Sequence, residues 1–73
     1  MSIITRNAMP KYRIEVFWSA EDEGYIAHLL EFPTLSAFGR SEEHAVRELK
    51  RATVAWLKAL AAEGKEPPEP IAI

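Results

Sequence analysis

The chain has 73 residues, of which 48% are apolar and 27% charged, with a formal net charge of −2. This is the size and composition of one small globular domain. It has no cysteine, so disulfides and thiolate metal sites are excluded. The mild acidity gives no global attraction to nucleic acid and suits a basic protein partner.

Residues 1–10 read as a loose leader that ends at Pro10 and lacks the longer apolar core of a signal peptide. From Tyr12 the pattern alternates, with Tyr12, Ile14, Val16 and Trp18 on one face and Arg13, Glu15 and Phe17 on the other. Period two with β-branched and aromatic residues predicts a half-buried strand. "SAEDEG", residues 19–24, is polar and ends in glycine, as a hairpin loop does. "YIAHLL" predicts a second strand, with Tyr25, Ala27 and Leu29 towards the core because Ala27 lets a helix come close. Pro33 cannot donate to a ladder and should end it. "TLSAF" predicts a short third strand, and Gly39 offers a backbone conformation that other residues resist.

Ser41 is the predicted N-cap of a helix over 42–63, with Glu42 and Glu43 against its positive end. A full capping box is absent, since His44 stands where Glu or Gln would. Ala45, Leu49, Ala52, Trp56 and Leu60 form its apolar stripe, widened by Val46, Thr53 and Leu57, and Glu43 and Arg47 are spaced for an ion pair. Gly64 fits the C′ position, and Pro67 and Pro68 stop the helix. The expected fold is α+β: a three- or four-stranded antiparallel sheet with one long helix on one face. The order is β-β-β-α, with 71–73 a candidate terminal strand. One domain over 11–66 and a proline-rich tail over 67–73 follow the leader. No apolar run reaches the roughly 20 residues of a membrane span, so a cytoplasmic protein is expected. A domain this small buries only about 60% of its unfolded surface. A homodimer, a dimer of dimers or a bound partner is expected to add burial.

"YRIEVFWSAEDEGYIAHLLEFP", "SAFGRSEEHA" and "AWLKALAAEGKEPPEP" together resemble the HicB-like antitoxin family. The match runs from Tyr12 to Pro70 and rests on the order and spacing of Tyr12, Trp18, Gly24, Tyr25, Glu31, Pro33, Gly39, Ser41, Trp56, Gly64 and the closing Pro68-Glu69-Pro70. This chain has Leu30 where the family usually has proline, and Thr34-Leu35 where it usually has Gly-Cys. The resemblance implies a truncated ribonuclease H-like fold. It also implies binding to a small HicA-type mRNA-cleaving toxin, in a short form without the C-terminal DNA-binding module that some members carry.

Catalysis has little support in the residues. Ser36, Ser41, His28 and His44 are the types of a nucleophile and base, but Ser41 is engaged as a cap and His28 has no orienting acid identifiable from sequence. Glu15, Glu21, Asp22, Glu23 and Glu31 do not form a recognisable carboxylate set for metal ions, and two histidines without cysteine give no zinc signal. Arg40, Arg47, Lys50, Arg51 and Lys58 are interleaved with Glu42, Glu43 and Glu48, the mark of a solvated helix face, so direct DNA binding is not expected. The expected function is therefore a non-enzymatic antitoxin with no metal or cofactor. The acidic Glu21, Asp22, Glu23 and Glu31 are expected to face the toxin. Arg13, Glu15 and Phe17 are expected at an oligomer or partner interface, and Gly24, Pro33, Gly39, Ser41, Trp56 and Gly64 in structural roles. The alternative is a stand-alone oligomeric regulatory or binding module.

Overall fold

The structure is a computed structural model that describes residues 12–70. Three strands, β1 (Ile14–Ser19), β2 (Gly24–Leu29) and β3 (Ser36–Gly39), precede one helix, α1 (Glu42–Ala62). The strands form an antiparallel sheet in the order β1-β2-β3. This is the expected α+β arrangement. The leader and the candidate strand at 71–73 lie outside the described residues.

The helix covers one face of the sheet. Ile14, Val16, Ala27, Leu29 and Ala37 meet Ala45 and Leu49, and Tyr12 closes the core just before β1 begins. Val16, Ala27 and Ala37 lie side by side across the three strands. The small side chains of that row let α1 come close. Contact is tightest at Gly39, where an added Cβ would fall 2.3 Å from the Ala45 backbone nitrogen. Gly39 is thus required for its missing side chain and not for a turn conformation, because Gly64 is the glycine with positive φ among the described residues.

Both ends of α1 are capped. Ser41 Oγ accepts the His44 backbone N–H at 3.1 Å. His44 Nδ1 in turn accepts the Arg40 backbone N–H at 3.2 Å, so histidine partly replaces the missing capping-box side chain. At the other end Gly64 has φ 73°. Its N–H reaches Ala61 O at 3.1 Å and the Lys65 N–H reaches Leu60 O at 2.9 Å, the paired bonds of a Schellman motif. The buried stripe runs through Ala45, Leu49 and Thr53, and Ala52 is only half-buried. Thr53 can replace an apolar residue there because its hydroxyl donates to Leu49 O at 2.8 Å. The expected Glu43–Arg47 pair is not formed; Glu48 takes Arg51 at 3.3 Å instead.

A 21-residue helix is roughly 32 Å long, whereas six strand residues span about 20 Å. The excess length carries Trp56 to the end of the sheet where Tyr12 and Phe32 lie. Trp56 is half-buried there, its ring stacked on Phe32 at 4.7 Å and tilted against Tyr12 at 6.2 Å. Tyr12 O–H donates to Pro68 O at 2.7 Å and so ties down the tail. The turn from β2 to β3 passes through exposed Pro33 and is closed by the Leu35 N–H on Phe32 O at 3.0 Å. That turn includes Thr34, so β3 starts at Ser36, two residues later than the apolar pattern suggests.

Three outcomes are expected. Gly39→Ala should destabilise the fold by about 1–3 kcal/mol in urea denaturation, because a rigid backbone must give way. Gly24→Ala should cost less, since the end of the Phe38 ring is what it meets first. Burial, then Glu31 and Glu69, raises the Tyr12 pKa above its ordinary value. A raised folded-state pKa gives stability that is complete below the unfolded value of about 10 and is lost as pH climbs towards the folded value. Tyr12→Phe should cost about 1 kcal/mol at neutral pH and should remove this component of the alkaline loss, read from denaturation curves between pH 7 and 11.

Candidate interaction surface

The other face of the sheet has no helix over it. Strand alternation and the register lay it out in rows. Phe17, Ile26 and Phe38 form one row across the three strands. Phe17 is 45% exposed and Phe38 44%. The Phe38 ring lies over Gly24, where an added Cβ would fall 2.3 Å from it. Gly24 is thus a strand residue that makes room for a ring. The turn's left-handed position falls to Glu23, with φ 55°.

The adjacent row is Glu15, His28 and Ser36. Glu15 Oε1 and His28 Nε2 are 2.7 Å apart, and the Phe17 ring meets the His28 ring edge-on at 5.9 Å. Glu15 is the acidic partner for His28 that the sequence did not reveal. A strand register fixed by long-range pairing is needed to bring them together. The row has the residue types of an acid–base–nucleophile relay, but among the described residues no hydrogen bond joins Ser36 to the imidazole. Two cavities, of about 490 and 180 Å³, lie along α1 and away from this row. As it stands, the row is a polar brace that holds Glu15, His28 and Phe17 in place.

The hairpin joins β1 to β2 at one end of the sheet, and Glu21, Asp22 and Glu23 are all exposed. Ser19 Oγ donates to Asp22 Oδ2 at 2.9 Å and accepts the Asp22 N–H at 3.3 Å, which fixes the loop. Glu31 does not join this group. It follows β2 at the opposite end, about 20 Å away along the strand. Its carboxylate accepts the Arg13 backbone N–H at 3.1 Å. Alternation places Trp18 on the helix-facing side of β1, yet it is 55% exposed with its ring edge-on to Tyr25 at 5.3 Å. The helix starts over Gly39 on β3, on the far side of β2 from Trp18, and leaves that corner of β1 open.

On the helix, Arg47, Lys50 and Arg51 line the larger cavity together with Glu42, Glu43 and Val46. The signs are mixed, as expected. No cluster of three or more His, Asp or Glu that could hold a metal ion occurs among the described residues. None of their helices is long and apolar enough to cross a membrane. The fold and this surface define a small sheet-and-helix module with one uncovered face and an acidic hairpin. No protein-family model matches the chain, and no curated protein or solved structure matches it significantly.

Glu23 in the left-handed region costs about 1 kcal/mol relative to a residue without Cβ, partly offset by the backbone entropy of glycine. Glu23→Gly should therefore raise stability by about 0.5 kcal/mol in urea denaturation. A loss of stability would show that the Glu23 side chain itself holds the turn.

Proposed function

We propose that the chain is a HicB-like antitoxin that binds a small HicA-type RNA-cleaving toxin in the cytoplasm and blocks it, with no catalysis of its own. The observation that carries this reading is the hairpin. Glu21, Asp22 and Glu23 project together from one end of the sheet, exposed, and none has a cationic partner among the described residues. A surface that binds RNA is cationic, and an acidic loop is suited to steer towards it and cover it. The residues that carry the resemblance also have structural work in this fold: Gly24 under Phe38, Gly39 under α1, Ser41 and Gly64 at its ends, and Trp56 between two rings. Glu31, bound to the Arg13 backbone, is the weakest of the expected contacts. Direct DNA binding has no support in a helix face whose cations alternate with Glu42, Glu43 and Glu48. A second reading, a stand-alone self-associating module, is favoured by the Phe17–Ile26–Phe38 row.

The test is capture of the product of the neighbouring gene, by stopped-flow association at two salt concentrations beside an RNA-protection assay. Replacing Glu21, Asp22 and Glu23 with glutamine should slow association about tenfold at low salt and little at 1 M, where charges are screened within about 3 Å. If the protein neither binds that product nor protects RNA, the antitoxin reading fails. RNA or ester turnover abolished by His28→Ala or Glu15→Gln would overturn the non-enzymatic part.

A further inference from the structure

We infer that the Tyr12–Phe32–Trp56 end of the core is a receptor for a proline-rich segment in polyproline II form, and that a basic segment of this kind from a partner protein displaces the chain's own tail from it. The tail shows the chemistry of the ligand. Residues 65–70 read KEPPEP. Each proline holds φ near about −65°, and the residue before each proline is pushed to extended backbone. The segment therefore favours polyproline II, and Pro67 to Pro70 has the P-x-x-P spacing of strands that dock in aromatic grooves. It forms neither helix nor strand, and of its residues Pro68 alone is half-buried.

The receiving side has the matching parts. Tyr12 O–H donates to Pro68 O at 2.7 Å. Trp56 tilts against Tyr12, and Phe32 stacks on Trp56, so three rings stand beside that bond. A polyproline strand makes no internal hydrogen bonds, which leaves its carbonyls open to side-chain donors. Tyr12 takes one of them. The half-buried Trp56 offers a second donor, an indole N–H without an acceptor among the described residues. A donor left unused in such a place favours a ligand that brings it a carbonyl.

Charge separates the tail from the best ligand. Burial first, then the carboxylates of Glu31 and Glu69, hold the Tyr12 pKa above its ordinary value, so both charges act on the hydroxyl that receives Pro68. Glu31 accepts a neutral backbone N–H from Arg13, which leaves its charge in place. The tail thus brings an anion to a site that already has one. A cation in place of Glu69 turns that repulsion into attraction. The tail holds the site by its tether, which gives it an effective concentration on the order of millimolar. This partner is separate from the toxin, so the antitoxin reading and this one stand or fall independently.

The experiment is a nuclear magnetic resonance titration of the full chain, which has two tryptophans and hence two indole N–H signals. The probes are the peptides KEPPRP, KEPPEP and KEGGRG. KEPPRP should shift the Trp56 signal and leave that of Trp18 in place, with half-saturation at about 1 mM against the tethered tail. KEPPEP should bind about threefold more weakly, and KEGGRG should leave both signals unmoved. Replacing the tail prolines, by Pro67→Gly, Pro68→Gly and Pro70→Gly together, should tighten KEPPRP binding about tenfold, with circular dichroism to confirm folding. No shift of the wild-type Trp56 signal at about 5 mM KEPPRP, or an equal shift with KEGGRG, would overturn the receptor. KEPPEP binding as tightly as KEPPRP would overturn the preference for a basic segment, and a folded triple variant that binds no better than wild type would overturn displacement of the tail.

Discussion

The helix meets the sheet backbone to backbone: the first turn of α1 rests on Gly39 with no room for a Cβ. Much of the arrangement follows from it. A helix held down at that point lies nearest β3 and β2, and the alanines at 27 and 37 accept it without a gap. The far corner of β1 is left out of reach, so Trp18 stays exposed. A single helix can cover one face of a sheet and no more. The second face therefore keeps Phe17, Ile26 and Phe38 in contact with water, or with whatever comes to replace it.

The two surfaces available for recognition differ in chemistry and in position. The hairpin is acidic and held by the Ser19–Asp22 bonds. The open face is apolar along one row and polar along the next, where Glu15 and His28 hydrogen-bond each other. A charged rim acts on encounter rate, whereas apolar contact acts on dissociation. A module with both can separate capture from retention. The turn at Glu31 belongs to neither surface, because its carboxylate is spent on the backbone at Arg13.

Much of this was legible in the sequence where the signal is local. Alternation from Tyr12 and the tilt towards Tyr25, Ala27 and Leu29 assigned the faces of β1 and β2, and Ser41 and Gly64 marked the helix ends because caps depend on neighbouring backbone. The misreadings are those that depend on distant packing. Gly24 looked like the turn glycine, but the Phe38 ring from another strand claims the space above it, and Glu23 is left in the strained position. Thr53 looked like a flank of the stripe, but bonding to its own helix lets it go inside. Trp18 followed the alternation rule and still came out exposed, since periodicity gives the face of a strand and not the reach of the helix above it. The Glu15–His28 pair spans thirteen residues of sequence and exists only once the register is set.

The bond from Tyr12 to Pro68 spans 56 positions in the chain, and this fixes an order of events during synthesis. Tyr12 is the first buried residue of the described core, yet its hydroxyl has no native acceptor until Pro68 has been made and released. Trp56, its ring neighbour, also arrives late. Sheet and helix can come together on local contacts while the chain is still growing, but that end of the core stays open to water until Pro68 has emerged. A nascent chain stalled before residue 68 would hold a nearly complete fold with its last seam unsealed, and that seam is where a protease or chaperone would first find purchase.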